Sequence, residues 1–241
     1  MLKKALVTGS ASGIGRAIGL DLATKGFDVA FHYNSSAEAA NEASKEATTN
    51  YGVKSIALQA DITKPEQAQS LIETTAEKLE GLSVVINNVG NYLEKSISQT
   101  SIEEWHQMLD SNLNSTFYVT QAAIPHLKAA GWGRIVNFAF ASAQNVMAGE
   151  VETAYRVAKT GVIIYTKSLA KELIKDNITA NIISPGVAEN SVGLDETTIS
   201  LLPSKRPATL KEISNAVVFF ITPEADYITG QVLEVAGGMR L

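Results

Sequence analysis

Short apolar runs and long amphipathic stretches alternate along the whole of this 241-residue chain. The runs Ala5–Val7, Val29–Phe31, Ser55–Leu58, Val84–Ile86, Ile135–Phe138, Thr179–Ile183 and Val232–Val235 read as strands. Gly15–Lys25, Ala37–Asn50, Pro65–Leu79, Ile102–Ala129, Ala154–Lys175 and Leu210–Ile221 read as helices. Runs this short, without polar alternation, suit strands buried on both faces, which a parallel sheet covered by helices provides. The pattern predicts an α/β fold with helices on both faces of a parallel sheet. No repeat or Pro/Gly linker divides the chain, so residues 1–241 are read as one domain. Val187–Pro207 is the least regular stretch and is expected to form a flap over a pocket.

Between the first strand and the first helix lies Val7-Thr8-Gly9-Ser10-Ala11-Ser12-Gly13-Ile14-Gly15-Arg16. Glycines there let the backbone turn sharply and approach a pyrophosphate without a Cβ in the way. The helix that follows offers unpaired N–H groups and its positive dipole end. The spacing Gly-x3-Gly-x-Gly is a variant of the dinucleotide fingerprint, with Gly9, Ser12, Gly13 and Ile14 as candidate phosphate contacts.

The choice between NAD and NADP is made near the end of the second strand, where an acid would hold a ribose 2′-hydroxyl. Here the chain reads His32-Tyr33-Asn34-Ser35-Ser36, with no acid before Glu38. The missing carboxylate removes repulsion against a 2′-phosphate, and Asn34 and Ser35 are placed to donate to it. NADP is therefore the expected cofactor, with NAD as the alternative. No Lys or Arg stands within that strand end.

Tyr155-Arg156-Val157-Ala158-Lys159 falls within a long predicted helix, so Tyr155 and Lys159 share a face. An ammonium beside a phenol lowers its pKa from about 10, which would make Tyr155 a usable proton donor or acceptor.

With these features the chain resembles the short-chain dehydrogenase/reductase family along essentially its whole length. Thr8-Gly9-x3-Gly13-Ile14-Gly15 resembles its cofactor turn, and Asn87-Asn88-Val89-Gly90 its N-N-A-G element, with Asn88 and Gly90 at the cofactor. Asp61 and Ile62 sit where the family contacts the adenine. Asn112 matches the asparagine that holds a water near the lysine, and Tyr155 and Lys159 match the catalytic pair. Pro185 and Gly186 match the P-G beside the nicotinamide, and Tyr227-Ile228-Thr229-Gly230-Gln231 with Gly237-Gly238 resembles the closing strand. The resemblance implies a Rossmann-type, doubly wound, seven-stranded parallel sheet. It also implies that Lys159 holds the nicotinamide ribose.

Three positions depart from the family pattern. A catalytic serine usually ends strand five, where this chain has Ile135-Val136-Asn137-Phe138-Ala139-Phe140. Ser142 has the usual separation from Tyr155, so a two-residue insertion would restore its hydroxyl to the substrate. Asn190 replaces the threonine that bonds the carboxamide four residues after P-G, and Ala236 replaces a common aspartate.

The resemblance implies a carbonyl reductase using NADPH, most similar to 3-oxoacyl-[acyl-carrier-protein] reductases, on a small carbonyl or alcohol free or carried on an acyl-carrier protein. Arg134, Arg156, Lys205 and Arg206 are candidate bases at the pocket mouth for the acidic carrier. The alternatives are another carbonyl substrate (a sugar, steroid, quinone or pterin) or a non-catalytic NADP-binding sensor or assembly protein. A homotetramer or homodimer is expected, because the family pairs these helices. Consistent with that, Val157, Val162, Ile163, Ile164, Leu169 and Leu173 cover more of their helix than one core stripe needs.

Composition excludes several other classes. The absence of cysteine rules out disulfides and thiolate chemistry, and three scattered histidines (His32, His106, His126) suggest no metal. A net charge of −5 with dispersed bases argues against nucleic acid. The longest apolar run, Ala216–Ile221, is far short of the ~20 residues that span a bilayer. Lys3 and Lys4 lead into no signal-like apolar stretch. A cytoplasmic protein without a membrane partner is expected.

Overall fold

The computed structural model describes residues 2–239. Seven parallel strands form one sheet: β1 Lys4–Val7, β2 Asp28–Tyr33, β3 Ser55–Gln59, β4 Val84–Asn87, β5 Gly133–Phe138, β6 Ile178–Pro185 and β7 Val232–Val235. Their spatial order is β3-β2-β1-β4-β5-β6-β7, so the winding reverses between β1 and β4. Crossovers leave β1 and β4 in opposite directions there, which opens a crevice at the strands' carboxyl ends.

Alternation along each strand sends neighbours to opposite faces. Val7, Phe31, Ile86 and Val136 pack with Ile18, Leu22, Val217 and Phe220. These last four come from α1 (Gly13–Thr24) and α8 (Leu210–Phe220). Leu6, Ala30, Val85 and Ile135 face the other layer: α3 (Pro65–Leu79), α5 (Ser115–Ala129) and α6 (Thr153–Leu173). Gly19 lets α1 lie close on the sheet, because a Cβ there would stand 2.3 Å from Cε1 of Phe31. The remaining helices are α2 (Ala37–Tyr51), α4 (Ile102–Leu109) and α7 (Glu196–Leu201). No helix of the described residues is long and apolar enough to cross a membrane.

The helix predicted over Ile102–Ala129 is not continuous. Its turn Asp110–Asn114 is a π-helix between α4 and α5. Hydroxyls of Ser111, Ser115 and Thr116 each donate to the carbonyl four residues back. Such back-bonding competes with the regular ladder and favours a local deformation. The flap at 187–207 also holds more order than its sequence suggests. Ala188 and Ala208 close its base in a parallel bridge, and Asp195 caps α7 by accepting from the Thr198 amide at 2.7 Å.

Arg134, read as a candidate base at the pocket mouth, is instead fully buried near the start of β5, at the end of the sheet away from the crevice. It stacks on Trp132 at 3.9 Å and pairs with Asp226. The guanidinium is fully buried while the Asp226 carboxylate is half exposed, so truncating Arg134 leaves a cavity beside Trp132 and no stranded buried charge. Arg134→Ala should destabilise the protein by about 3 kcal/mol, the cost of emptying a large buried site. Chemical denaturation checks this, with the NADPH dissociation constant expected to stay unchanged.

Candidate active site

The glycine turn lies at the carboxyl end of β1, where the sequence places it. Gly9 and Gly13 have φ of 62° and 54°, the left-handed region that favours glycine. A Cβ on Gly15 would stand 2.2 Å from the Gly9 carbonyl oxygen, so the turn closes only with glycine there. Ser12, the N-cap of α1, makes no side-chain cap bond, and no acid lies in the first helical turn. The first amides of α1 are thus left to an anion. Asn88 supports the turn by donating from Nδ2 to the carbonyls of Thr8 and Gly9, both at 3.1 Å. Asn190 lies over it: a Cβ on Gly13 would meet its Nδ2 at 2.5 Å. The chemistry of this cradle, with its glycines, amides free of side-chain caps and an overlying carboxamide, suits a pyrophosphate.

At the end of β2, Asn34, Ser35 and Ser36 are exposed, and Asn34 accepts from Gln59. Asp61, following β3, spends one oxygen on the amide and hydroxyl of Thr63, and Ile62 is buried beside it. Arg16, in the first turn of α1, pairs with Glu46 of α2 at 2.7 Å.

The catalytic candidates come from three elements. The π-turn brings Asn112 inward, where Nδ2 donates to the carbonyls of Asn91 and Met108, both at 3.0 Å. Its Oδ1 is buried without a hydrogen-bond partner. Lys159, on α6, donates from Nζ to the Phe138 carbonyl at 3.0 Å. Both side chains point at one spot, since a Cβ on Gly90 would stand 2.3 Å from Asn112 Oδ1 and 2.9 Å from Lys159 Nζ. A buried network holds the supporting layers in register. Asn87 on β4 donates to Thr120 of α5 and Asn137 of β5, which donates to Thr166 of α6.

Tyr155 lies one helical turn before Lys159, with Lys159 Nζ 5.9 Å from its ring centroid. Burial pushes the Lys159 ammonium down to about 8. The sequence predicts that this ammonium pulls the Tyr155 phenol towards neutrality, and the structure differs. Burial first, then the neighbouring Tyr92 and Glu152, pushes the phenol above its ordinary value. Burial is the main cause, and the Lys159 ammonium does not offset it: Nζ donates to the Phe138 carbonyl. A neutral phenol is a proton donor, which suits carbonyl reduction.

Two rings flank Tyr155 that the sequence reading did not assign. Tyr92 meets it edge-on at 5.2 Å, and Phe140 lies tilted at 5.5 Å. Tyr92 also donates to Glu152 at 3.0 Å, and Arg156 pairs with Glu152 and lies over Phe140 at 5.2 Å. The amides of Ala139 and Ala141 keep bonding β6, to the carbonyls of Ile183 and Pro185 at 2.9 Å, and the chain then turns at Ser142 with φ 66°. Phe140 is thus the side chain against Tyr155. The Ser142 hydroxyl is buried without a partner, and its amide donates to Glu234 of β7 at 2.7 Å.

Pro185 and Gly186 close β6 beside Ala236, whose Cα would lie 3.0 Å from a Cβ on Gly186. Between flap and β7 a cavity of about 230 Å³ is lined by Val187, Leu202, Arg206, Pro207 and Glu234. Lys205 and Arg206 lie on the flap, with Arg206 paired to Glu212 at 2.6 Å. Along α6, Val162, Ile163, Leu169 and Leu173 are spent in the chain's own core, while Val157 and Ile164 are exposed, as is Phe117 of α5.

Residues 9–240 match a family model described as enoyl-(acyl carrier protein) reductase. The 3-oxoacyl-[acyl-carrier-protein] reductase FabG of Staphylococcus aureus is 34% identical over 247 residues, covering 100% of this chain and 99% of that protein. FabG of Aquifex aeolicus is 34% identical, covering 98% and 97%. The crystal structure of acetoin dehydrogenase YohF from Salmonella typhimurium superposes with TM-score 0.91 at 31% identity, covering 99% of this chain and 96% of that one. A blue fluorescent protein from a metagenomic library, solved in complex with NADPH, superposes with TM-score 0.92 at 29% identity, covering 99% and 98%.

Proposed function

The chain belongs to the short-chain dehydrogenase/reductase family of NAD(P)-dependent oxidoreductases, and from that premise we propose that it reduces 3-oxoacyl thioesters with NADPH, using Tyr155 as the proton donor. The convergence of Lys159 and Asn112 beside Gly90 carries this reading. Buried polar groups normally find partners, because leaving one unmade costs about 1–3 kcal/mol. Here Asn112 Oδ1 and the Ser142 hydroxyl have none in the free protein, and a bound ligand or water would complete them.

Bound NADPH supplies the hydride. The chain's own groups then do the following. Gly9, Ser12, Gly13 and Ile14 receive the pyrophosphate, with Asn88 holding the turn from behind. Asp61 and Ile62 border the adenine, and Asn34 and Ser35 the 2′-phosphate. Pro185, Gly186 and Asn190 bound the nicotinamide side, and Gly90 leaves room for the ribose near Lys159. Ser142 polarises the carbonyl oxygen, Tyr155 gives that oxygen a proton, and Lys159 with Asn112 and a water replaces it. The rings of Tyr92 and Phe140 exclude water from the Tyr155 hydroxyl, which keeps it protonated.

The curated relatives of full length favour a thioester carried on an acyl-carrier protein. Of the bases named for that carrier, Lys205, Arg206 and Arg156 remain near the crevice. A small uncharged carbonyl is the second reading, favoured by the two rings that narrow the approach to Tyr155. The exposed Phe117, Val157 and Ile164 support pairing of α5 and α6 in a homodimer or homotetramer, and the location is read as cytoplasmic.

Rates on acetoacetyl thioester, crotonyl thioester and diacetyl separate these possibilities. The thioester ketone should be preferred. Preference for crotonyl thioester would show alkene reduction instead, and preference for diacetyl the small-carbonyl reading.

Cofactor choice has its own test. Asn34→Asp places a carboxylate where a 2′-phosphate would lie, and at a few ångströms that repulsion is worth at least about 1 kcal/mol. KM for NADPH should rise about tenfold with KM for NADH little changed. Equal effects on both cofactors would remove Asn34 from the 2′-phosphate site.

A further inference from the structure

His32 ends the buried part of β2 and has no assigned role in the reading above. It is 1% exposed, yet both ring nitrogens are used. Nδ1 accepts the Gly9 amide at 3.0 Å, and Nε2 lies 3.0 Å from the Ala60 carbonyl. A carbonyl only accepts, so Nε2 carries the proton and Nδ1 is bare. Burial lowers the imidazole pKa below its ordinary value, which keeps the ring in this neutral form; Asp61 is the charged neighbour acting against it. The backbone adds a second clamp. The His32 amide donates to the Ser10 hydroxyl and the Ser10 amide to the His32 carbonyl, both at 2.9 Å.

These bonds join two distant parts of the cofactor cradle. On one side stands Gly9, left-handed at φ 62° and free to rotate unless held. Its amide is fixed by His32 and its carbonyl by Asn88. On the other side, Ala60 immediately precedes Asp61 and Ile62, the residues read as the adenine border. A core histidine with no task beyond filling space would not need the Gly9 amide, which an anion-binding turn could otherwise have offered to its ligand.

We propose that His32 is a positioning residue for the cofactor: its neutral imidazole bridges the Gly9 amide and the Ala60 carbonyl, fixing the phosphate turn relative to the adenine side. This inference rests on the reading of residues 8–16 as a dinucleotide turn. It concerns binding of the adenosine half and leaves the reacting carbonyl aside.

The test compares wild type, His32→Phe and His32→Asn by titrating NADPH and 2′-phospho-ADP-ribose, the cofactor without its nicotinamide. Phenylalanine keeps the ring and removes both bonds. Asparagine keeps an acceptor near Nδ1, and so retains the bond to Gly9. His32→Phe should weaken both ligands about tenfold, the worth of one good hydrogen bond, while kcat at saturating NADPH holds within about twofold. His32→Asn should recover most of the affinity. Thermal unfolding of each variant checks that the fold is kept. Unchanged affinity in His32→Phe would overturn the proposal. So would His32→Asn binding as weakly as His32→Phe while unfolding at the wild-type temperature, because the ring's volume would then be what matters. If the wild-type protein binds neither ligand, the dinucleotide reading itself fails and the inference with it.

Discussion

Tyr155→Phe should lower turnover by about 10³-fold while NADPH binds as before, the loss expected when a positioned proton donor is removed. The substitution deletes one oxygen and keeps the ring between Tyr92 and Phe140, at centroid distances of 5.2 and 5.5 Å. Packing is therefore preserved, and the fall should appear in kcat and kcat/KM together. The raised phenol pKa adds a directional expectation. With Tyr155 protonated across the neutral range, reduction should proceed at neutral pH. Oxidation of the corresponding alcohol needs the phenolate and should gain strongly as pH rises. Steady-state rates in both directions at several pH values check this. An active Tyr155→Phe variant would assign the proton to another group.

Lys159→Met should lower turnover by about 10²-fold and at the same time stabilise the fold at pH 7 by about 1–3 kcal/mol. The two effects have one cause, a charge kept in a buried place at a cost to stability. Burial lowers the Lys159 pKa from 10.5 to about 8. Below pH 8 the lysine is charged in both folded and unfolded chains, and the full cost of burying the charge is present. As pH rises from about 8 to 10.5 the folded protein sheds the proton first, and wild-type stability gains on the variant. The stability advantage of Lys159→Met should thus shrink across that window. Wild-type reduction should decline through the same pKa, as the proton that replenishes Tyr155 is lost. Denaturant titrations at pH 7 and 10, with a pH–rate profile, measure both. A variant less stable than wild type at pH 7 would mean that the bond from Nζ to Phe138 outweighs the desolvation.

Periodicity makes most of the fold legible in the sequence. All seven apolar runs are strands, because burial on both faces leaves them no polar face to disguise the pattern. The π-turn at Asp110–Asn114 was hidden because back-bonding by Ser111, Ser115 and Thr116 leaves helical periodicity intact. Spacing also brought Tyr155 and Lys159 to one face, as helical geometry requires. What spacing does not carry is direction: Nζ is aimed at a backbone carbonyl, and the phenol is governed by burial. Tyr92, Phe140 and Glu234 reach the site from separate loops and a distant strand, so no local pattern marks them. No pattern in the sequence marks His32, because its two partners, the Gly9 amide and the Ala60 carbonyl, are main-chain groups that any sequence would supply. Arg134 illustrates the converse: charge suggests surface, yet the side chain is buried against the indole of Trp132, two residues before it, and pairs with an acid 92 residues away.

The measurement closest to the central claim is the stoichiometry of NADPH oxidation by the wild-type protein with acetoacetyl thioester. One 3-hydroxybutyryl thioester should form for each NADPH consumed, with no product when the cofactor is omitted. Tight NADPH binding without product from this thioester or from any other carbonyl would contradict the account and leave a cofactor-binding protein that does no reduction.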